Sequence, residues 1–165
     1  MASPVTIIGK ILFSEMCLRK IAWDDPAPVN ISRRWNLWIK ELHKCNTISV
    51  SRSVVKREQK LLALYGFADA SKSGVYTVVY VLATYNNGTT SQNLLTSKSR
   101  IAPKNVSMPR LELVAAHTLA KLVNHVNQTL RSYDLQQKHM WSDSMTTLYW
   151  LANRGTWSMV RKESS

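Results

Sequence analysis

The tripeptide Asn86-Asn87-Gly88 constrains this chain more than any other feature. Asn-Gly supplies the positive-φ positions that a tight hairpin turn needs. It follows a run rich in β-branched and aromatic residues, 75–85, and precedes 90–99 as the returning partner strand, so the spacing predicts an antiparallel hairpin. An apolar run at 61–67 reads as a preceding strand. Beyond the hairpin, a loop over 101–108 contains Pro103, and Pro109 stands in the first turn of a long helix predicted to run to residue 133. Along it Leu111, Ala115, Leu119, Leu122, Val126 and Leu130 form one apolar stripe. A short strand at 138–142 and a serine-capped helix at 144–153 complete the pattern. The order β-β-β-α-β-α implies an α/β or α+β domain.

The first sixty residues read differently. Ser3-Pro4 starts a helix carrying Ile7, Ile8, Ile11, Leu12, Cys17 and Leu18, which ends before Pro26-Ala27-Pro28. A second helix places Ile31, Trp35, Trp38, Leu42 and Cys45 on one face, with Asn30 or Ser32 as its expected N-cap. The stretch 51–60 is polar and basic. The expected division is therefore a helical connector, 1–60, and a main domain, 61–165.

Charge narrows the partner class. Lys and Arg number 22 against 10 acids, a formal net charge of +12, and the halves 1–60 and 61–165 each carry 11 basic and 5 acidic residues. An evenly basic globule points to a polyanion, nucleic acid before an anionic membrane surface. A basic protein with no such partner is the plain alternative. The apolar runs, such as 78–83, are far short of the ~20 residues of a membrane span. The stretch 5–13 is broken by Gly9-Lys10 and lacks the flanks of a secretory signal. Two cysteines, Cys17 and Cys45, suit a reducing compartment, and the cytoplasm is the expected location.

Three of the five acids after residue 60 sit where a chain presents a catalytic carboxylate. Asp69 follows the first strand, Glu112 lies in the first turn of the long helix, and Asp143 ends the last strand. Glu112 is flanked by Leu111, Leu113 and Val114, close to an apolar face where it needs a partner. Each alone has a structural reading: Asp143 as a helix N-cap, Asp69 as a turn residue. Converging, they could hold Mg²⁺ with substrate phosphate completing the shell. Two such ions could clamp the attacking and leaving oxygens of a phosphodiester displacement.

Four motifs in order carry a family resemblance: Gly66-Phe67-Ala68-Asp69-Ala70-Ser71, Ser97-Lys98-Ser99-Arg100-Ile101-Ala102-Pro103, Pro109-Arg110-Leu111-Glu112-Leu113 and Trp141-Ser142-Asp143-Ser144. Together they resemble the ribonuclease H-like region of a BEL/Pao retrotransposon polyprotein. Upstream, Gly9-Lys10-Ile11-Leu12 and Trp23-Asp24-Asp25-Pro26 resemble the segment linking reverse transcriptase to ribonuclease H in those elements. The resemblance implies a ribonuclease H-like mixed sheet flanked by helices, behind a helical N-terminal connector. It implies hydrolysis of the RNA strand of an RNA–DNA hybrid, with Asp69, Glu112 and Asp143 as metal-binding and catalytic residues. Mg²⁺ is the expected metal, with Mn²⁺ as a substitute, and the reverse transcriptase portion of the parent polyprotein is the expected partner. Lys98, Arg100, Lys104 and Arg110 would touch backbone phosphates, or else form a solvated basic loop.

The family pattern has a fourth acid further on, and this chain offers only Glu163, in the wrong context. The expectation is therefore a C-terminally truncated domain from a longer reading frame, with impaired catalysis. A non-catalytic nucleic-acid-binding or scaffold module is the alternative. Aspartic peptidase chemistry needs an Asp-Thr/Ser-Gly loop, which neither Asp69 nor Asp143 begins. Phosphate-cradling glycine motifs are absent from the sequence. His117 and His125 lie about 80° apart around a helix at ~100° per residue and read as structural or surface groups. The tryptophans read as core before stacking platforms, because Trp35 and Trp38 lie on a helix stripe.

Overall fold

A computed structural model of the chain describes residues 3–47, 49, 59–133 and 135–152. Three long strands follow two helices: β1 (Gln59–Ala70), β2 (Gly74–Tyr85) and β3 (Thr90–Ile101). The predicted hairpin forms as β2–β3, and Tyr85 N–H closes on the Thr89 carbonyl at 2.9 Å. Helix α3 (Met108–Thr129) crosses back over the sheet. It leads to β4 (Leu135–Ser142), which pairs parallel with β1. The short α4 (Met145–Leu151) follows. Strand order is β3-β2-β1-β4, three antiparallel strands with one parallel edge strand. The expected mixed sheet flanked by helices is what the chain forms.

One face of the sheet packs on α3. Leu64, Val75, Val79 and Val81 meet Leu111, Ala115, Leu119, Val123 and Val126 in a single core. The predicted helix stripe supplies most of it. Thr118 and Val123 complete the buried face, and Thr118 is tolerated there because its hydroxyl donates to the Val114 carbonyl at 2.7 Å. Close approach is set by Gly66: a Cβ built there would stand 2.8 Å from Leu119 Cδ1. Helix α3 begins two residues before Arg110, with Pro109 in its first turn, and ends at Thr129 rather than Tyr133.

The opposite face is half covered. Helix α1 (Ser3–Leu18) lies against β3 and carries α2 (Val29–Leu42) on its back. Ile7, Leu12 and Ile31 are buried in this second layer. Lys10 Nζ donates to the Ser99 carbonyl at 2.9 Å. At the α1–α2 contact, Trp38 Nε1 donates to the Val5 carbonyl at 2.8 Å and its ring occupies the space where Gly9 has no side chain. The helical segment is thus anchored on the sheet; most of the connector 51–60 lies outside the described residues.

Two expectations fail here. The start of α2 is not capped by Asn30 or Ser32: the helix begins at Val29 after Pro28, whose side chain cannot cap. Among the described residues, no tryptophan is fully buried in the core. Trp23, before α2, is 89% exposed, and Trp141, on β4, 45%; of the pair on the α2 stripe, Trp35 is 41% exposed while Trp38 is half-buried over Gly9.

Candidate functional site

Parallel pairing of β1 with β4 builds the site. The register sets Phe67 opposite Trp141 and Ala68 opposite Ser142. Asp69 and Asp143 are the next residues on each path, so both emerge side by side at the carboxyl ends of adjacent parallel strands. Ligand sites of open α/β sheets favour that end. Both aspartates are exposed. Asp69 Oδ1 accepts from the Ala70 N–H at 2.7 Å, which orients one oxygen along its own strand.

Glu112 reaches the same end from α3. It is half-buried, and its Oε2 accepts a hydrogen bond from the Ser144 hydroxyl. That hydroxyl also accepts from the Thr147 N–H at 3.1 Å, so Ser144 caps α4 while binding Glu112. The cap is Ser144, and Asp143 is left out of it. This answers the need for a partner that the sequence raised for Glu112. The serine was legible as a cap; its second bond required knowing that α3 and α4 meet.

The three carboxylates are not preassembled. Among the described residues, no three His, Cys, Asp or Glu side chains gather closely enough to hold a metal ion by themselves. Asp69 and Asp143 nonetheless suit Mg²⁺, which is usually held by one or two carboxylates plus substrate phosphate oxygens. Glu163 lies outside the described residues.

The basic residues fall on another side. Arg100 pairs with Val75 and Lys98 with Thr77, both buried toward α3, so Lys98 and Arg100 leave the edge strand β3 on the α3 side. They are level with Ala68–Ala70 through β2, two strand spacings or ~10 Å across. Lys104 is exposed in the following loop, and Arg110 is half-buried in the first turn of α3.

An aromatic ladder was not expected. On the sheet face away from α3, the ring of Tyr65 stacks on His139 at 5.2 Å and on Trp141 at 5.4 Å, and Phe67 stacks on Trp141 at 5.3 Å. Interplanar angles run from 6° to 27°, the parallel geometry that aromatic pairs favour when offset. The ladder runs toward the two aspartates. In sequence its members are scattered, and only the β1–β4 register brings them together. His117 and His125 lie on the exposed side of α3, as expected of surface groups. Among the described residues, no helix is long and apolar enough to cross a membrane.

Residues 1–144 match the family model described as the Pao retrotransposon-like RNaseH-like domain. Nothing matches among curated proteins or solved structures. With nearly nine-tenths of the chain matched, and the expected sheet and helices in place, the protein belongs to the Pao retrotransposon-like RNaseH-like domain family.

Proposed function

We propose that this retroelement RNase H-like domain binds RNA–DNA hybrids and hydrolyses their RNA strand at the end of β1 and β4. The observation that carries the reading is the emergence of Asp69 and Asp143 from adjacent parallel strands, with Glu112 drawn to the same end through Ser144. Asp69 and Asp143 would hold the divalent ion, Mg²⁺ by preference, and when bound it would supply charge neutralisation and an activated water. The residues of the chain do the rest. The Ala70 N–H fixes one oxygen of Asp69, leaving the other free to turn outward. Ser144 holds Glu112 from within its reach and, on rotation, would release it toward the strand ends. A net charge of +12 draws the polyanion, and Lys98, Arg100, Lys104 and Arg110 would take its backbone phosphates. The reverse transcriptase portion of a parent polyprotein would present the hybrid.

The test is cleavage of a labelled RNA–DNA hybrid in Mg²⁺ and in Mn²⁺, by the chain as it stands and by Asp69→Asn. The reading expects slow cleavage in Mg²⁺, partial gain in Mn²⁺ and loss in the variant. Cleavage that survives Asp69→Asn contradicts it. A second reading, a binding module without turnover, draws on the tie of Glu112 to Ser144, which on that reading would serve structure alone. Tight hybrid binding with no cleavage in either metal would favour that reading.

A further inference from the structure

A cleft of about 480 Å³ opens between α1 and the uncovered sheet face. Its walls include the rings of Phe67, Tyr76 and Tyr80, and Ile7 of α1 closes one side. The volume lies within the roughly 300–1,000 Å³ of small-ligand sites. Asp69 stands at one rim, so the cleft adjoins the strand ends described above. Register extends that rim across the sheet: Asp69 pairs with Tyr76, and Tyr76 with Ser99. Lys10 of α1 holds its ammonium on the Ser99 carbonyl at 2.9 Å, which uses one of its three donors. Aromatic walls, an apolar lid and a cation about two strand spacings, ~10 Å, from the acidic rim fit one kind of guest. That guest is planar, apolar on its faces and joined to an anion.

We propose that this cleft is a nucleotide subsite: an unpaired nucleobase enters among Phe67, Tyr76 and Tyr80, and its flanking phosphate rests on Lys10. The inference rests on the hybrid-cleaving reading and names a part of the substrate that reading leaves open, a single-stranded nucleotide beside the hybrid. Bases within a duplex have no free face, whereas unpaired ones stack readily on aromatic side chains. The charge of the chain favours a nucleic acid over an acidic-poor apolar peptide, which would leave Lys10 without a counter-charge. Helix α1 then acts as one wall of the site, beyond joining two regions.

The experiment measures binding by fluorescence anisotropy in EDTA, so that it does not depend on cleavage. Two labelled RNA–DNA hybrids are compared, one blunt and one with a short single-stranded extension. The extended hybrid should bind about tenfold more tightly, the scale of one stacked base. Tyr80→Ala should erase that preference, Tyr80→Phe should keep it, and Lys10→Gln should reduce it while leaving blunt binding nearly unchanged. Circular dichroism checks that each variant folds. If Tyr80→Ala does not fold, photocrosslinking of a 4-thiouridine extension to the unaltered chain decides: adducts should fall on Phe67, Tyr76 or Tyr80. Equal affinity for both hybrids, a preference that survives Tyr80→Ala, or adducts confined to other surfaces would overturn the proposal. So would a dimer that Tyr80→Ala dissociates with no change in nucleic-acid binding, since a second copy would then be the guest. Loss of cleavage with the extension preference intact would fault the hydrolytic reading alone.

Discussion

The hydroxyl of Ser144 donates to the Glu112 carboxylate and accepts from the Thr147 N–H, so a single oxygen joins α3 to the start of α4. Removing it has two costs. The lost helix cap is worth about 1 kcal/mol. The half-buried carboxylate loses a charge-assisted partner, worth roughly 1–3 kcal/mol. Ser144→Ala should therefore destabilise the domain by about 2–4 kcal/mol in urea unfolding, whereas Ser144→Asp should restore the cap but repel Glu112. A double-mutant cycle with Glu112→Gln should return a coupling energy above ~0.5 kcal/mol. Additivity would mean that the bond adds nothing to the cap.

Gly66 is where α3 presses on β1. A methyl group added there meets Leu119 Cδ1 at 2.8 Å and Val123 Cγ2 at 3.2 Å. Overpacking of this kind costs roughly 1–3 kcal/mol. Gly66→Ala should lower the denaturation midpoint by that measure, and pairing it with Leu119→Val should recover part of the loss. Recovery would be absent if the strain came from the strand itself.

Glu15 joins α1 to α2. Its oxygens accept from Arg19 and Arg34, each at 2.6 Å. The hydrogen bond from the Arg34 guanidinium, foremost, holds the Glu15 carboxyl below its ordinary range. A depressed folded-state value means stability that is present at neutral pH and lost as pH falls through that value. The pair faces solvent, so the contribution is small. In a carboxyl NMR titration, the Glu15 midpoint should lie below the ordinary glutamate range, and Arg34→Ala should raise it toward that range. Titration of Glu15 unchanged by that substitution would remove Arg34 as the cause.

Lys98 and Arg100 leave β3 on the same side, level with the ends of β1. If both neutralise phosphates, hybrid affinity should fall steeply with salt, and their joint replacement by alanine should flatten the log–log slope by nearly two. An unchanged slope would exclude both from the footprint.

Much of this fold was legible because its signals are local. The Asn86-Asn87-Gly88 turn, Pro109 and the stripe from Leu111 to Val126 each report on a few neighbouring residues, and each appears where the pattern placed it. Strand ends were less legible. β4 begins at Leu135, three residues before the expected start, because Leu135 and Gln137 pair with Leu62 and Ala63 of β1 across a register shift that the polar side chains of this stretch do not reveal. The tryptophans misled because periodicity reports which residues share a face without reporting how much that face buries. Trp35 and Trp38 share one, yet only Trp38 finds a cover, over Gly9. The same limit hid the ladder of Tyr65, Phe67, His139 and Trp141, which depends on a pairing some seventy residues apart in sequence. At the site, Asp69 and Asp143 could be placed at strand ends from pattern alone, while the bond between Glu112 and Ser144 depends on how two helices meet.

The central claim is that Asp69 and Asp143 act as one ion-holding pair once nucleic acid is present. Paramagnetic broadening by substoichiometric Mn²⁺, read on the Asp side-chain carboxyl signals with a non-cleavable RNA–DNA hybrid bound, tests it directly. The account predicts that Asp69 and Asp143 broaden together, ahead of Asp24 and Asp25, and that Asp69→Asn abolishes the effect at Asp143. Broadening of Asp69 with Asp143 untouched, or broadening spread evenly over all five aspartates, would contradict it.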